Sequence, residues 1–221
     1  LRRLWPRVAV CAVHRAGRDS GEAYELIVVN DSSTDRTGEI AAEHGAKVIT
    51  VQHRHIAATR NSGARVATGD ILLFVDADTR ISAETVKAAV RAVKEGCVGG
   101  SARIDYEEKV PIGARIGTAL FLFAYYGLGL GAGCFFFVAR SAFDEAGGFD
   151  ERYFAAEETY LSVSLKRLGR FVILRERVRT SARKLCFHKP SEVLRPFVRA
   201  MLLGPRALRE RDALWYGERR G

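Results

Sequence analysis

Apolar positions along this chain alternate between two patterns, short continuous runs and stripes of helical period. Glu25–Asn30 (ELIVVN), Lys47–Val51 (KVITV) and Ile71–Val75 (ILLFV) are runs rich in β-branched residues and bounded by turn formers, the pattern of buried strands. Between them, Thr37–His44 and Ile56–Val66 carry helical spacing, closed by Gly45 and Gly69. Ser82 and Glu84 open another helix, running to Lys94 with Gly96 beyond it, and Cys97–Asp105 follows as a strand. Such alternation with short loops predicts an α/β fold, a mostly parallel sheet flanked by helices. Right-handed crossovers bring the strand ends to one edge, where ligands gather in open sheets.

The rest of the chain is read with less regularity. Arg7–Val13 fits a first strand, and Leu1–Val13 equally fits the end of a basic helix. Ile116–Ala139 contains no charged residue, long enough for a membrane span. Its glycines, Gly127 to Gly133, instead predict a helix to about Tyr126, a glycine-rich loop and a buried strand Cys134–Ala139. A helix resting in the membrane interface stays open beside a true span. Phe143–Glu151 has turn character, Thr159–Leu168 reads as a helix stopped by Gly169, Arg170–Leu174 as a strand, and Glu192–Arg211 as a helix broken near Gly204-Pro205.

Charge and cysteine content narrow the class. A net charge of +9 favours an anionic partner. The excess gathers after Ser181, where a basic helical tail with Trp215 and Tyr216 suits an anionic membrane face or plain solvent. The tail's basic residues lack interleaved aromatics on a sheet face, so nucleic acid is not expected. Cys11, Cys97, Cys134 and Cys186 form no CxxC pair, which argues against a disulfide framework or zinc module and for reduced, cytoplasmic thiols. No cleavable leader is legible.

Candidate chemistry starts where Ile71–Val75 runs into Asp76-Ala77-Asp78. Two carboxylates that close repel unless a cation or proton lies between them. A hard divalent cation shared with substrate phosphates fits, as does an ordinary acidic turn. Asp31 ends an earlier strand, so the topology brings it to the same rim.

Four segments, in order, resemble the inverting family 2 glycosyltransferases of the GT-A fold: Val28–Thr37 (VVNDSSTDRT), Ala57–Gly63 (AATRNSG), Asp76-Ala77-Asp78 as a DxD motif, and Gly147–Glu151 (GGFDE) with Glu157-Glu158 and Leu161–Gly169. The resemblance spans roughly Glu25 to Arg183. It implies a GT-A-like domain over residues 1–185, a basic helical extension over 186–221, and transfer of a sugar from a UDP or GDP donor to an acceptor hydroxyl with inversion. The acceptor would be a glycan or lipid-linked molecule, as in cell-envelope polysaccharide synthesis. The location would be cytoplasmic, with peripheral contact at the inner membrane face. Asp31, Ser33, Arg60, Asn61, Gly63, Asp76, Ala77 and Asp78 would bind the nucleotide sugar, with Asp31 and Arg60 on the base, ribose or phosphates. Asp76 and Asp78 would hold Mn²⁺ or Mg²⁺. Glu158 would be the catalytic base beside Glu157, and Gly131, Ala132 and Gly133 would line the acceptor side. Arg183 and Lys184 would reach the diphosphate.

Two departures stand out. The acid pair is Glu-Glu where the family has Glu-Asp, and nothing near the start matches the family's first nucleotide-contacting segment, so a chain truncated at its amino terminus is expected. Two rivals remain. One is a haloacid-dehalogenase-type phosphatase with Asp76 as nucleophile and Asp78 as acid/base. The other is an inactive sugar-nucleotide-binding protein.

Overall fold

The computed structural model describes residues 8–15, 23–107 and 112–182 of the chain. The expected tail helix Glu192–Arg211, Arg183 and Lys184 lie outside the described residues.

An eight-stranded sheet in the order β3-β2-β1-β4-β7-β6-β8-β5 carries the molecule. Its strands are β1 (Val8–Arg15), β2 (Ala23–Asp31), β3 (Lys47–Val51), β4 (Ile71–Asp76), β5 (Thr79–Arg80), β6 (Cys97–Tyr106), β7 (Phe135–Ala139) and β8 (Arg170–Thr180). The helices are α1 (Thr37–Glu43), α2 (Ile56–Val66), α3 (Ala83–Lys94), α4 (Ile112–Gly127), α5 (Arg140–Glu145) and α6 (Glu157–Leu168). β2, β3, β4, β6 and β8 run in one direction, as the alternation predicts, and β1, β7 and β5 run against them. The sheet is therefore mixed. β1 fills the slot beside β4, antiparallel to both β2 and β4.

β4 is buried from Ile71 to Val75 because both faces are covered. Leu72 and Phe74 face one core with α2, α5 and α6, which supply Ala57, Ala64, Phe143, Leu161 and Leu165. Ile71, Leu73 and Val75 face the other with Ala88, Ala89 and Ala92 of α3, joined by Phe135 and Phe137 of β7. A strand covered on both sides needs apolar residues at every position, hence the continuous run. α3 starts where the Ser82 side chain accepts from the Thr85 N–H at 3.2 Å, and it ends with Arg91 and Lys94 against the helix dipole.

Two details differ from the sequence reading. Arg140–Glu145 is a short helix that runs into the start of the stretch given turn character, because Ala142 and Phe143 are drawn into the core. β5 and the second half of β8 go unforeseen, since their pairing, Thr79 opposite Thr180, joins residues far apart in sequence. α4, of 16 residues, ends at Gly127, close to the expected Tyr126, and among the described residues no helix is long and apolar enough to cross a membrane.

A candidate site at the sheet rim

Strand direction assembles the site. β4 ends at Asp76, β2 at Asp31 and β8 at Thr180, while antiparallel β7 starts from the same rim. The Asp76 N–H donates to the Cys134 carbonyl at 3.0 Å, so the loop before β7 lies directly across the end of β4.

Arg60 is the hub. It projects from α2, is 3% exposed, and donates to Glu157 Oε1 at 2.6 Å, Asp76 Oδ1 at 2.8 Å and the Gly133 carbonyl at 2.8 Å. Its guanidinium lies 5.3 Å from the Phe149 ring centroid. Burial acts to lower its pKa, but Asp76 and then Glu157 outweigh it, so the charge is held more firmly than usual. The sequence reading placed Arg60 on the base or phosphates; the structure turns it inward, where three protein acceptors occupy it. A helix-borne arginine can serve either direction, and the partner that decides, Glu157, lies 97 residues away.

Neighbouring α2 residues are turned inward too. Asn61 donates to the Phe149 carbonyl and to Glu151 Oε1, both at 2.8 Å, and accepts from the Phe149 N–H at 3.0 Å. This clamp sets the GGFDE turn. There Gly148 has φ +74°, and a Cβ on it would approach Asn61 Oδ1 to 2.9 Å. Asn61→Ala strips the partners from a backbone N–H and C=O together. We expect a loss of about 1–3 kcal/mol in urea unfolding; an unchanged midpoint would mean the clamp is slack. Gly63 is buried within α2.

Asp31 is 1% exposed and already engaged by the Arg54 N–H (2.8 Å), His55 N–H (3.2 Å), Thr59 Oγ1 (2.9 Å) and Ser32 Oγ (3.1 Å). Its visible work is to fix the 53–55 loop against the start of α2. Ser33 is half-buried, its N–H on Asn30 Oδ1 at 3.3 Å. Ser32, Arg54 and Ala156 are the described non-glycine residues with left-handed backbone, at φ 61°, 49° and 60°. Each costs about 1–3 kcal/mol. Two border Asp31 and the third immediately precedes Glu157.

The two glutamates open α6 and are separated by environment. Glu157 is buried on Arg60. Glu158 is half-buried, with no ion pair to Arg60, and its carboxyl is pushed up to about 8 by burial first and then by Glu157, with Arg60 opposing. Gly133 lies between these groups: a Cβ there would approach both Arg60 Nη2 and the Glu158 carboxyl carbon to 3.2 Å. The Gly131–Gly133 loop is pinned to α6 by Ser162 Oγ, which accepts from the Gly131 N–H at 3.0 Å. Ala132 is held on both sides by Ser101 Oγ. Tyr125 adds a bridge, its hydroxyl 2.6 Å from Thr159 Oγ1.

On the outer side of the rim, the Asp76 side chain is 40% exposed, Ala77 makes the turn, and Asp78 Oδ1 accepts from Thr180 Oγ1 at 3.4 Å. Burial, Asp76 and Asp78 together push the Cys134 thiol up, so it stays neutral. Thr180, Cys134, Tyr125 and Phe149 are site residues that the sequence did not single out individually; only Phe149 carried a signal, as part of GGFDE. Among the described residues no three protein ligands are gathered around a metal position. Asp76 and Asp78 are nonetheless hard oxygen donors at one strand end, the kind of set that takes Mg²⁺ or Mn²⁺ with phosphate oxygens completing the shell.

The model of glycosyl transferase family 2 matches residues 7–147. Probable glycosyltransferase YdaM of Bacillus subtilis is 29% identical over 167 residues, 66% of this chain and 40% of that protein. A mannosyltransferase from Pyrobaculum calidifontis, solved in complex with GDP-Man and Mn²⁺, has a similar fold, with TM-score 0.61 and 19% identity over 85% of this chain and 55% of that one. TarS residues 1–349 from S. aureus give TM-score 0.54 at 18% identity, over 84% of this chain and 58% of that one. The chain thus spans about two fifths of the Bacillus protein and somewhat more than half of each solved structure.

Proposed function

The chain belongs to glycosyl transferase family 2, and on that basis we propose that it moves a sugar from a nucleotide-diphosphate donor to an acceptor hydroxyl, with inversion and with the help of a divalent cation. The observation that carries the reading is the contrast between Glu157 and Glu158. One is neutralised by Arg60, the other is left beside the Gly133 backbone with a raised pKa. Paired carboxylates driven apart by environment have different jobs. Glu158 is the base that takes the acceptor hydroxyl proton as that oxygen attacks the anomeric carbon from the face opposite the leaving diphosphate. Glu157, Arg60 and Asn61 are positioning residues. Gly131, Ala132 and Gly133 form the acceptor wall.

Asp76 and Asp78 would hold Mn²⁺ or Mg²⁺, which supplies positive charge to the departing diphosphate. Support for the donor class comes from the Pyrobaculum neighbour, a protein described with GDP-Man and Mn²⁺ bound. A glycan or lipid-linked alcohol is the acceptor class. The phosphatase alternative fits poorly, because Asp76 is held by a buried arginine rather than poised as a nucleophile.

Calorimetric titration of UDP and GDP with and without Mn²⁺ tests the site. We expect one nucleotide to bind on the order of tenfold or more tightly with Mn²⁺, and Asp78→Ala to remove that gain. Binding indifferent to both metal and substitution rejects the metal corner. Metal-dependent binding without any turnover supports the inactive-binder alternative.

A further inference from the structure

α4 has an apolar face on the wrong side. Ile112 (77% exposed), Ile116 (58%), Leu120 (66%) and Phe123 (81%) point outward. At 100° per residue they fall within an arc of about 80°. Phe121, Leu122, Tyr125 and Tyr126, on the other side, are half-buried. The helix is fixed at its carboxyl end, by Tyr125 on Thr159 and Gly131, Tyr126 on the Ala102 carbonyl, and Lys166 on the Leu128 carbonyl. A surface helix ordinarily turns its polar face to water; this one presents aliphatic and aromatic side chains. Sixteen residues make about 24 Å, short of the ~30 Å hydrocarbon core, so it does not span.

The surroundings indicate what covers it. No Asp or Glu occurs from Lys109 through Phe143. On the adjoining end of β6 and β8, Ile104 and Val178 face the core, so Arg103, Asp105, Arg177 and Arg179 share the opposite face. The Tyr126 hydroxyl of α4 donates to the Ala102 carbonyl at 3.4 Å, which brings the neighbouring Arg103 beside this helix. Arg103 and Arg179 are exposed. A second copy docked by two-fold symmetry would set these arginines against themselves. Residues 183–221, with ten basic and four acidic side chains, would add like charge.

We propose that the outward stripe of α4, flanked by Arg103 and Arg179, rests in the headgroup region of an anionic lipid bilayer. The glycine loop leaving α4 forms the acceptor wall, so this seating brings Glu158 close to the membrane surface and assigns the acceptor to molecules carried in the bilayer. That last step rests on the function proposed above; the docking itself does not.

Co-sedimentation of the full chain with vesicles of phosphatidylcholine alone, or mixed equally with phosphatidylglycerol, tests the docking without turnover. We expect capture by the mixed vesicles, weakened by salt. Leu120→Ser combined with Phe123→Ser should weaken it about tenfold or more at unchanged melting temperature. Arg103→Gln combined with Arg179→Gln should weaken capture by the mixed vesicles. No capture of the wild type, or equal capture of the serine variant, overturns the proposal. So does a serine variant that melts lower or dissociates a dimer, since the face would then be buried within the protein or against a second copy.

Discussion

Glu158→Gln is expected to lower turnover by about 10²–10⁴-fold while leaving nucleotide affinity intact. Glutamine keeps the size and the hydrogen-bonding reach of the side chain but cannot accept a proton. Glu157 cannot stand in, because its carboxylate is committed to Arg60 at 2.6 Å. Turnover close to wild type moves the base elsewhere, and loss of nucleotide binding alongside turnover makes Glu158 a binding residue. The wild-type pH profile should carry the same signature. A base must be ionised, so kcat/KM climbs with pH and levels off above about 8, the value to which burial and Glu157 push this carboxyl. The stability consequence has a definite sign. A carboxyl raised from its ordinary 4.5 binds its proton more tightly in the folded state. Its contribution to stability is therefore complete below about 4.5 and is lost as pH rises through about 8. Glu158→Gln escapes that loss and should melt above the wild type on the alkaline side.

The second large effect is structural. Arg60→Met should cost about 3–5 kcal/mol, because it leaves Glu157 buried without its cation. For a chain of this length that corresponds to a fall of about 6–20 °C in melting temperature. Arg60→Lys should recover little, since a compact ammonium cannot span Glu157, Asp76 and the Gly133 carbonyl as the guanidinium fork does. Adding Glu157→Gln to Arg60→Met should return part of the loss, the coupling expected of direct partners. A melting temperature near wild type in the single variant would show that the pair is not the anchor the geometry makes it.

These two residues also mark how far the sequence can be read. Ile56–Val66, Lys47–Val51 and the helix opened by Ser82 were legible almost to the residue, because local period and capping chemistry fix them. The direction of β1 was not, since a short apolar run reads the same both ways and only its partners, β2 and β4, decide. The residues that make the rim could be gathered from strand order. Which of them face outward could not. Asp31, Arg60 and Asn61 each sit in a motif and each turn inward, toward acceptors and donors 16 to 97 residues distant. The family resemblance assigned the arginine to the ligand; its bond to a buried glutamate far along the chain was not legible locally.

That turn of α2 has a consequence for the order in which the protein is made. Thr59, Arg60 and Asn61 close loops of 28, 97 and 88 residues respectively, to Asp31, Glu157 and Phe149. Thr59 can be satisfied as soon as α2 emerges from the ribosome. Arg60 can find Asp76 soon afterwards, but its second carboxylate is synthesised far later, and burying it earlier would strand half of its charge complement. Long-range contacts of this kind are slow to form. The amino-terminal half can thus lay down its strands during synthesis, while α2 locks onto the rim only once α6 has arrived.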